Sequence, residues 1–188
     1  MERRFSTEQL LAAQGGAFGM KAAIFDVDGV LTDGRIYIGE QGEVFKAFST
    51  LDGHGLKLLQ TAGIEPIVIT GRDAPAVRRR IQDLGLRHAL FGIKDKLAAA
   101  EPLLASLGLA WSQVAAMGDD WPDLPLLSRA GLAIAPPGAH AEVLALAGYV
   151  TRAHAGYGAA REACDLLLTA AGHYQRLLSE HLQTLDGR

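Results

Sequence analysis

Short apolar runs alternate along this chain with longer mixed segments. Ala22 to Phe25, Pro66 to Thr70, His88 to Phe91, Val114 to Met117, Gly131 to Ala135 and Tyr149 to Thr151 are too short for helices and suit strands buried on both faces. Between them the pattern predicts helices at Ala74 to Leu84, Lys94 to Leu107, Leu124 to Ala130 and Ala139 to Ala147. Another, Leu56 to Ala62, is opened by Asp52-Gly-His-Gly55 and stopped by Gly63, and a long helix from Ala159 carries the C-terminus. This alternation predicts an α/β fold with a Rossmann-like, doubly wound, mostly parallel sheet. One segment breaks the rhythm. Arg35-Ile-Tyr-Ile and Glu43 to Phe48 flank Gly39-Glu-Gln-Gly42 and predict a β-hairpin insertion. A lone hairpin is marginal in water, and Ile36, Ile38, Val44, Phe45 and Phe48 give it much apolar surface. It is expected to pack on something, another subunit included. Ser6 to Gln14 predicts a short helix, so the expected organisation is a helical appendage at 1–19, a core domain at 20–175 and a helical tail at 176–188.

Composition narrows the picture. A chain of 188 residues, 49% of them apolar, suits one α/β domain with a substantial core. The net charge of −3 argues against general nucleic-acid binding and leaves room for a local anion pocket. Cys164 is the only cysteine, so no internal disulfide forms, and its apolar setting reads as core. No apolar run spans a membrane, and Met-Glu-Arg-Arg-Phe lacks the apolar heart of a signal peptide. A cytoplasmic location is expected.

The chemistry gathers at strand ends. The first strand runs into Asp26-Val-Asp28-Gly29. Residues two apart share a face of extended chain, and Gly29 lets the backbone turn away sharply. Two carboxylates then stand at the carboxyl end of a strand, where open α/β sheets place ligands. Asp26 is placed to attack phosphorus, and Asp28 to protonate a leaving oxygen and then activate water. Two close carboxylates repel, so a cation is expected beside them. Thr70 ends the second strand, and its hydroxyl and the Gly71 amide can donate to phosphate oxygens. Lys96 sits in the first turn of a helix, against the dipole preference, which points to an anion nearby; Lys94 reads as a bystander. Gly118-Asp119-Asp120-Trp121-Pro122-Asp123 sets three carboxylates in five residues at a strand end. Mg²⁺ suits such hard oxygens, with Asp119 best placed to bind it and Asp120 and Asp123 to hold waters or orient Lys96.

Asp26-Val-Asp-Gly-Val-Leu-Thr-Asp-Gly34, Ile69-Thr-Gly-Arg72, Lys96 and Gly118-Asp-Asp-x-x-Asp123 together resemble the motifs of haloacid-dehalogenase-superfamily phosphatases. The resemblance implies Asp26 as nucleophile, Asp28 as general acid and base, and Thr70 and Lys96 on the phosphoryl group. It implies Mg²⁺ held by the Asp26 carboxylate, the Asp28 carbonyl and the Asp119 carboxylate. The gaps between motifs leave no room for a cap domain, which narrows the likeness to the capless sugar-acid phosphatases. That implies a phosphorylated sugar acid as substrate, 3-deoxy-D-manno-octulosonate 8-phosphate first and a nonulosonic acid 9-phosphate as the alternative. It also implies a homotetramer, and a substrate site lined by Asp28, Ser49, Thr50, Leu51, Asp52, Gly53, Lys57, Gly71, Arg72, Arg80 and Lys96. Arg72 and Arg80 have a chemical case of their own, since Arg is the natural partner of a sugar-acid carboxylate. Ser49, Lys57 and the loop Ala155-Gly-Tyr-Gly158 depart from the family pattern and bear on the sugar rather than the chemistry.

Overall fold

A computed structural model describes residues 19–186; the expected helix at Ser6 to Gln14 lies outside them. The central element is β1 (Ala22–Phe25), every residue of which is buried. Beside it lie β4 (Glu65–Ile69) and β6 (Val114–Met117), then β5 (His88–Leu90), β7 (Leu132–Ala135) and β8 (Tyr149–Val150). The six strands run β5-β4-β1-β6-β7-β8, all parallel. The doubly wound sheet expected from the pattern is therefore present.

Side chains along β1 alternate between two cores. Ala23 and Phe25 join a layer with Leu56 and Leu59 of α1 (Thr50–Thr61), Val77 and Ile81 of α2 (Pro75–Leu84) and Leu167 of α6 (Ala159–Ala170). Ala22 and Ile24 face Ala100 and Leu104 of α3 (Lys96–Ser106), Leu127 of α4 (Leu124–Arg129) and Val143 of α5 (Ala141–Leu146). The chain winds outward through α1 and α2 on one face, then returns through α3, α4 and α5 on the other. The reversal falls beside β1, which is where such sheets open a crevice.

Two elements differ from the pattern's expectation. Helix α1 starts at Thr50, not Leu56, because the Ser49 hydroxyl caps it by accepting from the Leu51 and Asp52 amides. Gly53 and Gly55 are helix interior: a Cβ at Gly53 would lie 2.3 Å from Arg80 Nη2, and one at Gly55 3.0 Å from Arg161 Cδ. In the sequence they read as the opening of the helix, and in the structure they are close-packing sites inside it. The long C-terminal helix is two, α6 and α7 (Tyr174–Asp186), broken where Gly172 takes a left-handed φ of 75°.

The hairpin forms as expected from β2 (Tyr37–Gly39) and β3 (Gly42–Phe45), a separate antiparallel pair. Tyr37 and Phe45 stack at 4.4 Å between ring centres. Among the described residues its apolar side chains stay open, Ile38 being 69% and Val44 65% exposed, with Ile36 and Phe45 also open.

Candidate active site

Strand register assembles the site. Phe25 pairs with Val68 on one side and Met117 on the other, so the residues just past these ends converge: Asp26, Thr70 and Asp119. The Asp26 amide donates to Met117 O at 3.1 Å, which extends the pairing to the nucleophile candidate itself. The chain then makes a wide turn over Val27–Leu31, in which Gly29 takes φ 89°. That conformation and the missing side chain let the turn pass against Asp119: a Cβ at Gly29 would stand 2.1 Å from Asp119 Oδ2.

Lys96 is nearly fully buried, and its Nζ lies 2.7 Å from Asp26 Oδ1 and 2.6 Å from Asp123 Oδ1. Burial works against its charge, yet Asp26 and Asp123 together hold it above the ordinary lysine value. Asp123 spends its other oxygen on the Asp119 and Asp120 amides, at 3.1 and 3.4 Å. It is thus the orienting group for Lys96 and for the Asp119 loop, in line with the expectation for it. Asp26, Asp119 and Asp123 each bring a carboxylate oxygen within 4.8 Å of the others. Burial, then the Asp123 carboxylate, push Asp26 up to about 6 against the pull of Lys96. Burial, then Asp26, Asp123 and Asp120, push Asp119 up to about 7. One ammonium does not balance this cluster. With Asp123 committed to Lys96 and backbone amides, Asp26 and Asp119 are the carboxylates left to a small hard cation, and they fit one.

Thr70 is buried, and its Oγ1 accepts from the Arg72 amide at 3.3 Å, leaving its proton for an anion. Gly71 is exposed beside it. Arg72 reaches across to Glu43 Oε2 at 2.6 Å and stands 3.8 Å from Asp28 Oδ2. Asp28 is half-buried and is held by Lys46 of the hairpin, whose Nζ also lies 3.1 Å from Glu43. Sequence reasoning gave Lys46 and Glu43 no role in the site; a Lys at the end of an alternating strand looks like an ordinary solvated residue.

The remaining predicted residues form a second group at the start of α1. Ser49 caps the helix, Thr50 and Leu51 are exposed in its first turn, and Lys57 is exposed two turns on. Arg80 donates to Ser49 O at 3.1 Å and covers Gly53. Asp52 is buried and accepts from the Gly158 and Arg161 amides at 3.3 and 2.7 Å, so its carboxylate caps α6. Through that cap the loop before α6 is pinned, and Gly156 donates to Val30 O at 3.2 Å. The loop closes one wall of an open cavity of about 410 Å³ beside Gly29 and Asp119, lined also by Asp33, Arg35, His154 and Tyr157.

A central strand ending in a carboxylate, a buried lysine on that carboxylate and an acidic cluster after the next strand are the setting of a haloacid dehalogenase-like hydrolase, the family that residues 91–162 match. The 3-deoxy-D-manno-octulosonate 8-phosphate phosphatase of Yersinia pestis is 46% identical over 154 residues, 82% of each chain. That of Escherichia coli K12 is 46% identical over 156 residues, 83% of each. A probable YrbI-family phosphatase from Pseudomonas syringae superposes with a TM-score of 0.88 at 45% identity, covering 94% of this chain and 98% of its own. The octulosonate phosphatase of Moraxella catarrhalis, solved with magnesium, phosphate and a KDO molecule, superposes at 0.87 with 36% identity, covering 94% of this chain and 99% of its own. The chain belongs to the 3-deoxy-D-manno-octulosonate 8-phosphate phosphatase family.

Proposed function

We propose that this chain hydrolyses 3-deoxy-D-manno-octulosonate 8-phosphate in the cytoplasm, as a homotetramer with magnesium as its cofactor. The observation that carries the reaction is Asp26 at the end of the central strand, with Lys96 Nζ 2.7 Å from its Oδ1 and Asp28 two residues on. Asp26 attacks phosphorus while the bond from phosphorus to the sugar oxygen breaks, and Asp28 gives that oxygen its proton. Asp28, now a carboxylate, takes a proton from the water that attacks the aspartyl-phosphate. Inorganic phosphate leaves and Asp26 is restored. The Thr70 hydroxyl, the Gly71 amide and Lys96 hold phosphoryl oxygens and offset the charge that develops in transfer. Asp26, Asp119 and the Asp28 carbonyl would hold magnesium, which when bound neutralises the carboxylates and the phosphoryl oxygens between them.

Arg72, 3.8 Å from Asp28 Oδ2, is the partner proposed for the substrate's carboxylate. At the start of α1, Thr50, Leu51 and Lys57 are exposed, which suits residues presented to a neighbouring subunit's site, while Ser49, Asp52, Gly53 and Arg80 hold that end of the helix in shape. The exposed apolar hairpin supports such an assembly, since the described residues leave Ile38 and Val44 largely uncovered. The test is phosphate release with Mg²⁺ from a panel: the octulosonate 8-phosphate, a nonulosonic acid 9-phosphate and neutral sugar phosphates. The octulosonate ester should lead in kcat/KM. Equal rates across the panel would refute recognition of a sugar acid.

A further inference from the structure

Lys46 is a buried lysine outside the phosphate-binding group. Its side chain is 1% exposed, although it lies just past β3 of a hairpin whose apolar side chains are open. Burying an ammonium is costly unless it is paired. Here the partners are Asp28 Oδ1, in direct contact, and Glu43 Oε1 at 3.1 Å. Arg72 completes a ring, 2.6 Å from Glu43 Oε2 and 3.8 Å from Asp28 Oδ2. Two acids and two cations thus join the hairpin, the turn after β1 and the loop after β4. Asp28 stands at the junction, with one oxygen taken by Lys46 and the other facing Arg72, its side chain still 20% exposed.

We propose that Lys46 is a positioning residue for leaving-group protonation: it fixes Asp28 so that the free carboxyl oxygen meets the departing oxygen. The proposal rests on the assignment of Asp28 as general acid and base. In the first step the O–H bond of Asp28 breaks and an O–H bond forms on the sugar oxygen, as the sugar's bond to phosphorus breaks and that of Asp26 forms. Negative charge appears on Asp28 at that moment. The Lys46 ammonium already stands against it, so no rearrangement is required as the charge develops. Glu43 balances Lys46 before the transfer, and Arg72 keeps Glu43 in place. The hairpin is thereby part of the catalytic apparatus.

The test uses leaving groups of graded acidity, because a good leaving group needs no proton. kcat/KM is measured with Mg²⁺ on an alkyl or sugar phosphate and on p-nitrophenyl phosphate. Lys46→Met should lower the first on the order of 100-fold, within the range that general acid catalysis contributes, and the second far less. Lys46→Arg, which keeps a buried cation and tests the idea should Lys46→Met fail to fold, should give an intermediate selective loss. In an Asp28→Asn background the Lys46 substitution should add little, since it acts through that residue. Equal losses on both esters would overturn the proposal by marking Lys46 as merely structural, as would full additivity with Asp28→Asn. A leaving-group response in Asp28→Asn no different from wild type would overturn the acid assignment and the proposal with it.

Discussion

Replacing Gly29 with Ala separates backbone strain from damage to the acidic cluster. The residue has φ 89° and ψ 4°, a conformation that costs a residue with a Cβ about 1–2 kcal/mol. The new methyl would also stand 2.1 Å from Asp119 Oδ2, 2.4 Å from Cγ and 2.8 Å from Oδ1. What it strikes is the end of one side chain, so the fold can relieve the clash by swinging the Asp119 carboxylate out of the cluster. That movement also relaxes its repulsion with Asp26, so the stability loss should stay near the backbone term, a fall in Tm of about 2–8 °C. Activity should suffer far more, because displacing a catalytic-site group by about an ångström costs on the order of 100-fold. Thermal melts with and without Mg²⁺, beside phosphate release, read both effects. Gly42→Ala supplies the control: its φ is 110°, and nothing lies within 4 Å of the added Cβ. It should lose similar stability and keep its activity. A Gly29→Ala enzyme with wild-type turnover and a wild-type Mg²⁺ shift in Tm would refute the placement of Asp119 against this turn.

Asp26→Asn should abolish turnover with the fold intact, and Asp28→Asn should slow it severely; phosphate release by folded Asp26→Asn protein at near-normal rate would exclude the covalent route. Without a cation, Asp26 and Asp119 hold protons up to about 6 and about 7, so Mg²⁺ uptake must release protons. Apparent Mg²⁺ affinity should therefore rise from pH 6 to pH 8, and calorimetry in buffers of different ionisation heat should register the proton release; a flat profile would contradict it. The same shifts have a stability consequence. Both folded-state values lie above the ordinary Asp range, so the metal-free fold binds more protons than the unfolded chain between about pH 4 and pH 7 and loses stability as pH rises through that window. Denaturant melts in EDTA should show this decline, and saturating Mg²⁺ should flatten it. Finally, Ile38→Glu or Val44→Glu should dissociate the assembly in sedimentation while leaving the monomer folded; an unchanged oligomer would remove the hairpin from the interface.

The parts legible in the sequence were those with local causes. The apolar run into Asp26 and the turn at Gly29 need only neighbouring residues to be read, and β1 and its site follow directly. Parallel pairing then brings Thr70 and Asp119 to the same edge without further information. What escaped depends on distant partners. Asp52 looked like a substrate ligand and instead caps α6, accepting from amides 106 and 109 residues onward. Gly53 and Gly55 looked like a helix boundary because nothing nearby discloses that Arg80 and Arg161 pack over them. Lys46 escaped for the same reason, since its partner Asp28 lies 18 residues back across the hairpin. A buried cation can be inferred only once its carboxylate has been placed.

The hairpin therefore carries two sets of side chains with different obligations. Ile36, Ile38, Val44 and Phe45 are apolar and exposed, while Glu43 and Lys46 enter the ring around Asp28. An isolated two-stranded ribbon is at best marginally stable in water. Among the described residues, ion pairs of Glu43 and Lys46 join this one to the domain, and the Lys46 side chain is removed from solvent. Covering the exposed apolar side chains would add apolar burial to that polar attachment and hold Glu43 and Lys46 in one arrangement. Assembly and leaving-group protonation are then linked through a single short element. A dissociating substitution such as Ile38→Glu, though remote from the carboxylates, should lower turnover of poor leaving groups more than that of p-nitrophenyl phosphate. If dissociation lowers both equally, the exposed apolar side chains act only in enclosing substrate and the link through Lys46 is broken.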